Sequence, residues 1–331
     1  MKKKIVTAII LILLTILITN AMFSINLSPS TTQIEYYVQD QGNIEVYFCP
    51  HQNCEENLTA FIASAEKSIH CALFDIGLES VQNVLLEKSE VMEVQIVTDD
   101  HYIKKFNHPF VKEDTWGLQH NKFCIIDGTK ITTGSMNPTN NGAHKNNNNL
   151  LFIESPILAA NYEAEFQEMW NGTFKKGNPV KNTHIRIGKT KIKNYFCPDD
   201  NCAYHVKEEL RKARKSIHFM LFSFTHKGIQ NILLLKNLDG VPIQGVMEAR
   251  QVSKYSTFEK LAYQDVDVHK DGNKQNMHHK VWIIDRSTVI TGSMNPSAGG
   301  DRRNDENVLV IEDPFIVSKY LEEFERVYGD S

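Results

Sequence analysis

The order of apolar and polar residues predicts that strands and helices alternate along most of the chain. Short apolar runs bounded by polar residues predict buried strands, and apolar residues three or four positions apart predict helices with one buried face. The predicted elements of the first half are a strand at 69–74, a helix at 78–88 and a strand at 94–97. Those of the second half come in the same order, a strand at 217–222, a helix at 228–236 and a strand at 243–248. This alternation indicates an α/β fold with a mixed sheet in each half.

Short sequence matches indicate that the two halves are copies of one unit. Residues 47–50, Tyr-Phe-Cys-Pro, recur at 195–198, and residues 67–70, Lys-Ser-Ile-His, recur at 215–218. We therefore predict tandem domains of similar size. The predicted organisation is a first domain at 44–175, a linker at 176–191 and a second domain at 192–331.

The N-terminus differs in kind from the rest of the chain. Three lysines, Lys2 to Lys4, precede residues 5–19, which are aliphatic apart from one alanine and three threonines. We predict that residues 1–23 are a signal anchor or a signal peptide, and the absence of a clean cleavage site favours the anchor. Residues 24–43 are rich in polar side chains and are predicted to be a flexible tether. The domains would then lie on the extracytoplasmic side, either membrane-anchored or secreted.

Four of the six cysteines form the pattern Cys-Pro-x-x-x-Cys twice. In an exported protein, this spacing favours local disulfides, Cys49–Cys54 and Cys197–Cys202. A four-cysteine zinc site joining the halves and unpaired thiols are the alternatives. The other two cysteines, Cys71 and Cys124, lie in apolar strand-like runs and are predicted to be buried small residues.

Composition narrows the function classes only a little. The 331 residues are 41% hydrophobic and 23% charged, which is typical of a globular protein. The net charge is −4, so no broad basic face is expected, which disfavours a dedicated duplex-DNA binder.

The most informative pattern occurs twice, 158 residues apart. Residues 120–127 read His-Asn-Lys-Phe-Cys-Ile-Ile-Asp, and after six further residues 134–137 read Gly-Ser-Met-Asn. Residues 278–285 and 292–295 repeat the same His, Lys, Asp, Gly, Ser and Asn at the same spacing. Each copy has a central apolar run that predicts a buried strand, with its His and Lys on one face. Two imidazoles and two lysine cations brought together would form a suitable receptor for a phosphodiester.

This duplicated pattern resembles the HKD signature of the phospholipase D superfamily, over about residues 44–331. The resemblance implies two α-β-α sandwich domains packed about a pseudo-twofold axis, with one active site between them. It implies a covalent phosphohistidine mechanism that needs no metal or other cofactor, with His120 and His278 as nucleophile and general acid/base. The side chains expected to hold the substrate phosphate are Lys122, Lys280, Asn137 and Asn295, helped by Ser135 and Ser293. Asp127 and Asp285 are expected to support the local backbone.

The two halves differ 28 residues after each motif histidine, where the second has Glu306 and the first has Asn148. In the family, the residue at this position contacts the catalytic histidine of the opposite half. Glu306 is therefore expected to orient His120, and Asn148 to orient His278. A carboxylate stabilises a positively charged phosphohistidine better than an amide does, so His120 is the predicted nucleophile.

The predicted function is hydrolysis of a phosphodiester, with a phospholipid favoured because of the predicted membrane tether. The alternatives are an endonuclease of the same superfamily, a phosphatidyltransferase similar to cardiolipin synthase, and a non-catalytic module that binds phosphate or lipid. Aromatic residues beside lysines in segment 100–119 suit a lipid surface or stacked single-stranded bases. We expect this segment and 250–277 to shape the mouth of the site. Because both half-sites lie in one chain, the protein is expected to be a monomer.

Overall fold

The computed structural model describes residues 35–114 and 116–331. The predicted anchor or signal peptide at 1–23, and the tether up to residue 34, lie outside the described residues. Within the described residues, no helix is both long enough and apolar enough to cross a membrane.

The first half forms one mixed sheet. Its strands are β2 (Ile44–Cys49), β3 (Ser68–Leu73), β4 (Glu93–Thr98), β5 (Val111–Glu113), β7 (Lys122–Ile126), β8 (Lys130–Gly134) and β9 (Asn148–Glu154). They lie in the order β2-β9-β8-β7-β3-β4-β5. The pairs β3–β4 and β4–β5 are parallel, and the remaining neighbours are antiparallel.

The second half forms a larger sheet around an equivalent set of strands. Its strands are β1 (Val38–Asp40), β10 (His184–Ile187), β11 (Thr190–Cys197), β12 (Ile217–Leu221), β13 (Ile243–Met247), β14 (Asp267–Lys270), β15 (Lys280–Ile284), β16 (Thr288–Gly292) and β17 (Asn304–Glu312). They lie in the order β1-β10-β11-β17-β16-β15-β12-β13-β14. A short strand of the first half, β6 (Leu118–Gln119), pairs in parallel with the start of β17.

Helices cover both sheets. The helices are α1 (Cys54–Ala63), α2 (Glu79–Ser89), α3 (Asn140–His144), α4 (Pro156–Trp170), α5 (Cys202–Lys212), α6 (Lys227–Leu238), α7 (Phe258–Tyr263), α8 (Ala298–Arg302) and α9 (Pro314–Gly329). The long helices α4 and α9 both begin with proline, after a capping residue, Ser155 or Asp313, whose side chain accepts a backbone hydrogen bond. They contribute to one central apolar core that contains residues of both sheets, and each half also has an outer core under its other helices. The predicted α/β fold with two tandem units is confirmed, and the six predicted elements agree with the structure to within two residues.

Two predicted connecting segments contain strands. Residues 38–40 of the predicted tether pair in parallel with residues 185–187, so that part of the prediction is wrong. The predicted linker 176–191 contains β10 and the start of β11, which form a hairpin through Gly188 and Lys189. Gly188 has φ +58, a conformation that glycine adopts readily, so a polar-looking segment can turn tightly and join the edge of the second sheet.

All six cysteines form disulfides. Cys49 bonds to Cys54 and Cys197 bonds to Cys202, which leaves no thiolates for the alternative zinc site. Cys71 and Cys124 are fully buried, as predicted, and they form a third disulfide that the sequence analysis did not predict. They lie directly opposite each other on the paired strands β3 and β7, a register that the sequence alone does not reveal.

Candidate active site

Each motif histidine is held by the backbone of the other half. His120 precedes β7, and its backbone N–H donates to the carbonyl oxygen of Asp305 at 3.0 Å. His278 precedes β15, and its backbone N–H donates to the carbonyl oxygen of Asn147 at 2.9 Å. These reciprocal bonds are what a pseudo-twofold arrangement of the halves requires, and they bring both motifs to one place.

The side chains that follow those carbonyls contact the imidazole rings. Nδ1 of His120 lies 2.7 Å from Oε2 of Glu306. Nδ1 of His278 lies 2.8 Å from Oδ1 of Asn148, whose Nδ2 donates to the carbonyl oxygen of Gly142 at 2.9 Å. Glu306 and Asn148 are fully buried, so these contacts are shielded from water. The structure therefore places both orienting residues against the histidine of the opposite half.

The motif serines support the orienting residues. The hydroxyl of Ser293 donates to Glu306 at 2.7 Å, and the hydroxyl of Ser135 donates to Asn148 at 2.9 Å. Each serine oxygen also accepts a backbone N–H, from Asn307 and Asn149 respectively, at 3.0 Å. Both serines are fully buried. Ser293 and Ser135 therefore hold Glu306 and Asn148 in position, and their contact with phosphate stays a prediction.

Two buried lysines complete the charged centre. Nζ of Lys122 donates to the carbonyl oxygen of His120, and Nζ of Lys280 donates to that of His278 at 2.7 Å. Each ammonium also lies 5.0 Å from the ring centre of a phenylalanine, Phe74 for Lys122 and Phe222 for Lys280. Burial lowers the pKa of Lys122 to about 7 and that of Lys280 well below its ordinary value. Both lysines are thus in a place where a negative ligand would strongly favour their charged form.

Burial also lowers the pKa of both histidines. The pKa of His120 falls to about 4, although the carboxylate of Glu306 opposes this shift. The pKa of His278 is held well below its ordinary value by burial and by the charges of Lys280 and Lys122. In the free protein both rings are therefore neutral near pH 7, and a neutral imidazole can act as a nucleophile.

The motif asparagines lie in turns that are packed very closely. The loops that follow β8 and β16 carry Asn137 and Asn295, whose side-chain oxygens have no hydrogen-bond partner within the described part of the chain. A Cβ atom at Gly142 or Gly300 would lie 2.1 or 2.2 Å from the backbone oxygen of the corresponding asparagine. Glycine is required at both positions because no side chain would fit. The close packing of each glycine against an asparagine backbone fixes the position of that backbone.

The motif aspartates follow β7 and β15, at the opposite end of each strand from the motif histidine, and they bind backbone groups there. The carboxylate of Asp127 accepts N–H groups from residues 66–68, and that of Asp285 accepts them from residues 214–216, at 2.7–3.1 Å. Partial burial would raise the pKa of both carboxyls, but these donors outweigh it and keep each pKa below its ordinary value. This geometry agrees with the supporting role expected for them.

Four residues close to the site were not predicted from the sequence. The rings of Phe74 and Phe222 pack edge-on against His120 and His278, at 5.0 and 4.8 Å between ring centres. Asn149 and Asn307 directly follow the orienting residues and bond across the two halves. Phe74 and Phe222 are 148 residues apart, and Asn149 and Asn307 are 158 residues apart, which are the two spacings of the sequence repeat. This spacing is the sequence signal that identifies both pairs.

The aromatic segment before the first motif is largely engaged within the protein. Phe106 is buried, Lys105 pairs with Asp75, and Nζ of Lys112 lies 3.9 Å from the ring centre of Trp170. Trp116 is exposed in this segment, and Tyr255 is exposed in segment 250–277. Tyr263, in the same segment as Tyr255, is exposed as well.

Two groups of acidic and histidine side chains in the described residues are close enough to share a cation. One consists of Asp99, Asp100 and His101, and the other of Glu165, Glu168 and Asp199. Neither group contains His120 or His278.

Comparison with known proteins identifies the family. A family model described as "Cardiolipin synthase, PLD-like domain" matches residues 58–170 and again residues 206–328. A phospholipase D of Rickettsia conorii is 30% identical over 145 residues, 43% of this chain and 72% of that protein. A mitochondrial cardiolipin hydrolase of Xenopus laevis is 28% identical over 156 residues, 46% of this chain and 74% of that protein.

A solved structure shares the architecture of both halves. The crystal structure of phosphatidylserine synthase from Haemophilus influenzae has a TM-score of 0.62 with this protein, over 86% of this chain and 85% of that one. The sequence identity is 13%, so this similarity concerns the fold. The family match extends over both repeats and most of the chain, and this chain belongs to the phospholipase D superfamily.

Proposed function

We propose that this protein is a phosphodiesterase that hydrolyses a phospholipid through a covalent phosphohistidine on His120. The observation that carries the proposal is the pair of cross-half contacts, Glu306 to Nδ1 of His120 and Asn148 to Nδ1 of His278. Each contact occupies Nδ1 and leaves Nε2 of the ring without a hydrogen-bond partner in the described chain. Two imidazoles with free Nε2 atoms can serve as a nucleophile and an acid in one reaction.

In the first step, Nε2 of His120 attacks phosphorus. The Nδ1–H of His120 donates to the Glu306 carboxylate, so the lone pair of the neutral ring lies on Nε2. A nitrogen–phosphorus bond forms, and the bond from phosphorus to the leaving alcohol oxygen breaks. That oxygen takes the proton of Nε2 of His278. The products of this step are the free alcohol, a phosphoryl group on His120 and a neutral His278.

In the second step, water releases the phosphoryl group. Nε2 of His278 accepts a proton from the attacking water, whose oxygen bonds to phosphorus while the nitrogen–phosphorus bond breaks. This restores neutral His120 and protonated His278. If an alcohol took the place of water, the same residues would transfer the phosphatidyl group.

The charges around the histidines support this division of roles. Attack makes the His120 ring cationic, and the adjacent carboxylate of Glu306 stabilises that charge. His278 has an amide partner instead, so it releases its proton more readily to a basic leaving oxygen. A bound phosphodiester anion beside Lys122 and Lys280 offsets their positive charge and so favours the protonated form of His278. Preorganised cations of this kind also stabilise charge on the phosphoryl oxygens.

The phospholipid substrate is supported by two observations. The phospholipase D of Rickettsia conorii and the cardiolipin hydrolase of Xenopus laevis are named for lipid phosphodiesters. Trp116 and Tyr255 are exposed aromatic side chains on the segments expected to shape the mouth, and such side chains suit the interface of a lipid surface. We further propose that the protein works on the extracytoplasmic side, as its N-terminal sequence predicts.

The test uses the full chain purified in detergent and incubated with EDTA. Phosphatidylcholine, cardiolipin, single-stranded DNA and RNA are supplied separately, and product release is measured for each. We expect turnover of a phospholipid without added metal, because histidine supplies the nucleophile that a metal-bound water would otherwise supply. Cleavage of nucleic acid without lipid turnover would establish the nuclease alternative, and an ethanol ester of the lipid formed in added ethanol would indicate transfer.

Two variants make the result specific to the site. His120→Asn is expected to abolish turnover, whereas His51→Asn, a change at the surface outside the site, is expected to retain it. If wild type bound lipid vesicles but turned over none of the four substrates, the protein would be a binding module and the proposal would be wrong.

A further inference from the structure

Three carboxylates meet where the first half contacts a loop of the second. Glu165 and Glu168 lie on the last turns of α4, and Asp199 lies in the loop closed by the Cys197–Cys202 disulfide. Each side chain offers one oxygen, and these oxygens all lie within 4.8 Å of one another. Like charges at this separation repel strongly unless a cation or protons neutralise them.

Glu165 is the informative member of this cluster. It is 6% exposed, and among the described residues none forms a hydrogen bond or a salt bridge with its carboxylate. Burial and the neighbouring acids, Asp305 and Asp199 first among them, raise the pKa of Glu165 well above its ordinary value. A buried carboxylate with no partner is costly, and such groups normally pair with a cation or bind a metal ion.

The internal repeat shows how the same position is neutralised in the other half. Glu323 on α9 corresponds to Glu165, and its carboxylate pairs with Arg326 at 2.7 Å and with His279 at 3.0 Å. Arg326 corresponds to Glu168, and His279 corresponds to Asn121. The first half therefore keeps the buried glutamate but replaces both of its partners, the cation Arg326 and the hydrogen-bonding His279.

The loop that faces α4 is also more acidic than the equivalent loop that faces α9. The residue of the first half that corresponds to Asp199 is His51, and the residue that corresponds to Asp200 is Gln52. Asp199 has a pKa raised to about 6 by partial burial and by the nearby charge of Glu168. Three of these replacements, Glu168 for Arg326, Asp199 for His51 and Asp200 for Gln52, place an acidic residue near Glu165 where the other half has a basic or neutral one.

A cavity opens beside the cluster. It has a volume of about 320 Å³, and Glu165, Glu168 and Asn178 are among the residues that line it. The side chain and backbone of Asn178 hold Glu168 in place with bonds of 2.6 and 3.1 Å. A Cβ atom at Gly177 would lie 1.7 Å from Oε2 of Glu168, so the chain passes very close to this carboxylate. The oxygens of Glu168 are therefore held in position, and the cavity makes Glu165 and Glu168 reachable from solvent.

We propose that Glu165, Glu168 and Asp199 bind a divalent cation of the calcium type, at a site separate from the catalytic histidines. Three carboxylates with no nitrogen or sulfur donor suit a hard cation. Two oxygens bound to one Ca²⁺ at about 2.3–2.6 Å can be at most about 5 Å apart, which agrees with the observed cluster. Bidentate carboxylates and water would complete the coordination, and Ca²⁺ tolerates such irregular sets better than Mg²⁺ does.

The cation would join the two halves without taking part in phosphoryl transfer. It would occupy the place that Arg326 and His279 take at the equivalent position, and it would tie α4 to the second-half loop that carries Asp199. Its removal should therefore change the stability of the protein, while turnover by folded molecules persists.

The test is calcium binding and thermal unfolding of the full chain after removal of metal with EDTA. Calorimetric titration with CaCl₂ should show one site with a dissociation constant of about 10⁻⁵–10⁻³ M. About 10 mM CaCl₂ should raise the midpoint of thermal unfolding by several degrees. Glu165→Gln and Asp199→Asn should each weaken calcium binding at least tenfold. Without calcium, both variants should be at least as stable as wild type, because each removes one repelling charge.

Glu322→Gln is the matched control, since Glu322 lines the equivalent cavity of the second half beside Lys319 and Arg326. It should keep the full response to calcium. If calcium left the unfolding midpoint of wild type unchanged, or shifted that of Glu165→Gln equally, the three carboxylates would not form the site and the proposal would be wrong. Because the readouts are binding and stability, they do not depend on which substrate the catalytic site accepts.

Discussion

Nδ2 of Asn149, in the first half, donates a hydrogen bond to Oγ1 of Thr291, in the second half, at 2.6 Å. The same amide donates to the hydroxyl of Tyr320 at 2.7 Å. Asn149 directly follows the residue that contacts His278, so these bonds couple the packing of the halves to the position of an orienting side chain. The equivalent Asn307 accepts a hydrogen bond from Thr133 at 3.0 Å.

Asn149→Ala is expected to lower both stability and turnover. The substitution leaves two fully buried hydroxyl groups, of Thr291 and Tyr320, without this partner, which should cost about 1–3 kcal/mol of unfolding free energy. Chemical denaturation measures the loss of stability, and steady-state kinetics measures turnover. Asn43→Ala, at an exposed position, should change neither. Wild-type stability in Asn149→Ala would show that this contact between the halves is dispensable.

The repeat made much of the site predictable. Both histidines, both lysines and the difference between Glu306 and Asn148 follow from aligning the chain with itself. The alignment also predicts which half each orienting residue serves, once the halves are packed about a pseudo-twofold axis. The local sequence does not distinguish Asn149, because it ends a run of four asparagines, 146–149, that is typical of a polar loop, although Asn149 is fully buried in the structure.

Other features depend on contacts between distant strands. The Cys71–Cys124 disulfide requires that β3 and β7 pair with these residues opposite each other, which local spacing does not indicate. Residues 38–40 have a polar sequence, and they form a strand because an edge strand at 185–187 offers unpaired backbone groups. Tertiary context decides both outcomes.

The two histidine variants should behave differently with a lipid analogue that has a good leaving group. His120→Asn should form no covalent adduct, since it lacks the nucleophile. His278→Asn should still be phosphorylated on His120, because a good leaving group needs no proton, but should release the group slowly. Intact-protein mass spectrometry after a quench that avoids acid can detect the adduct. A phosphoryl group found on His278 in the His120→Asn protein would reverse the assigned roles.

Burial of His120 should make stability depend on pH. Its pKa is about 4 in the folded protein and about 6.5 when unfolded, so between these values only the unfolded chain binds the proton. Stability should therefore fall as pH decreases below about 6.5, by about 2 kcal/mol at pH 5 from this residue. Urea denaturation at pH 7.5 and 5 should show a smaller decrease for His120→Asn than for wild type. His51→Asn, with its ring at the surface, is the control, and an equal decrease in all three proteins would contradict the assignment.

Lys122→Met should increase the stability of the protein and decrease its turnover. Burial lowers the pKa of Lys122 to about 7, so holding its charge in the free protein is costly. Methionine of similar length removes that cost and should raise the unfolding free energy by about 1–3 kcal/mol, as replacements of buried charges often do. Turnover should fall at least about a hundredfold, because the phosphate loses a cation. Lys67→Met, at an exposed position, should leave turnover unchanged, and a Lys122→Met protein with wild-type turnover would exclude phosphate binding by this residue.

Glu306→Gln should reduce turnover more than Asn148→Ala does. Glu306 contacts the ring that becomes cationic in the first step, and glutamine keeps the size of the side chain but removes its negative charge. The loss should resemble that of a charge-assisted hydrogen bond, about 1.5–3 kcal/mol, or about ten- to a hundredfold in rate. Asn148 offers His278 only a neutral hydrogen bond, so its removal should cost less. Both rates are measured under single-turnover conditions, where product release does not limit the signal. Equal rates for Glu306→Gln and wild type would show that the carboxylate does not stabilise the phosphohistidine. That result would contradict the assignment of His120 as the nucleophile.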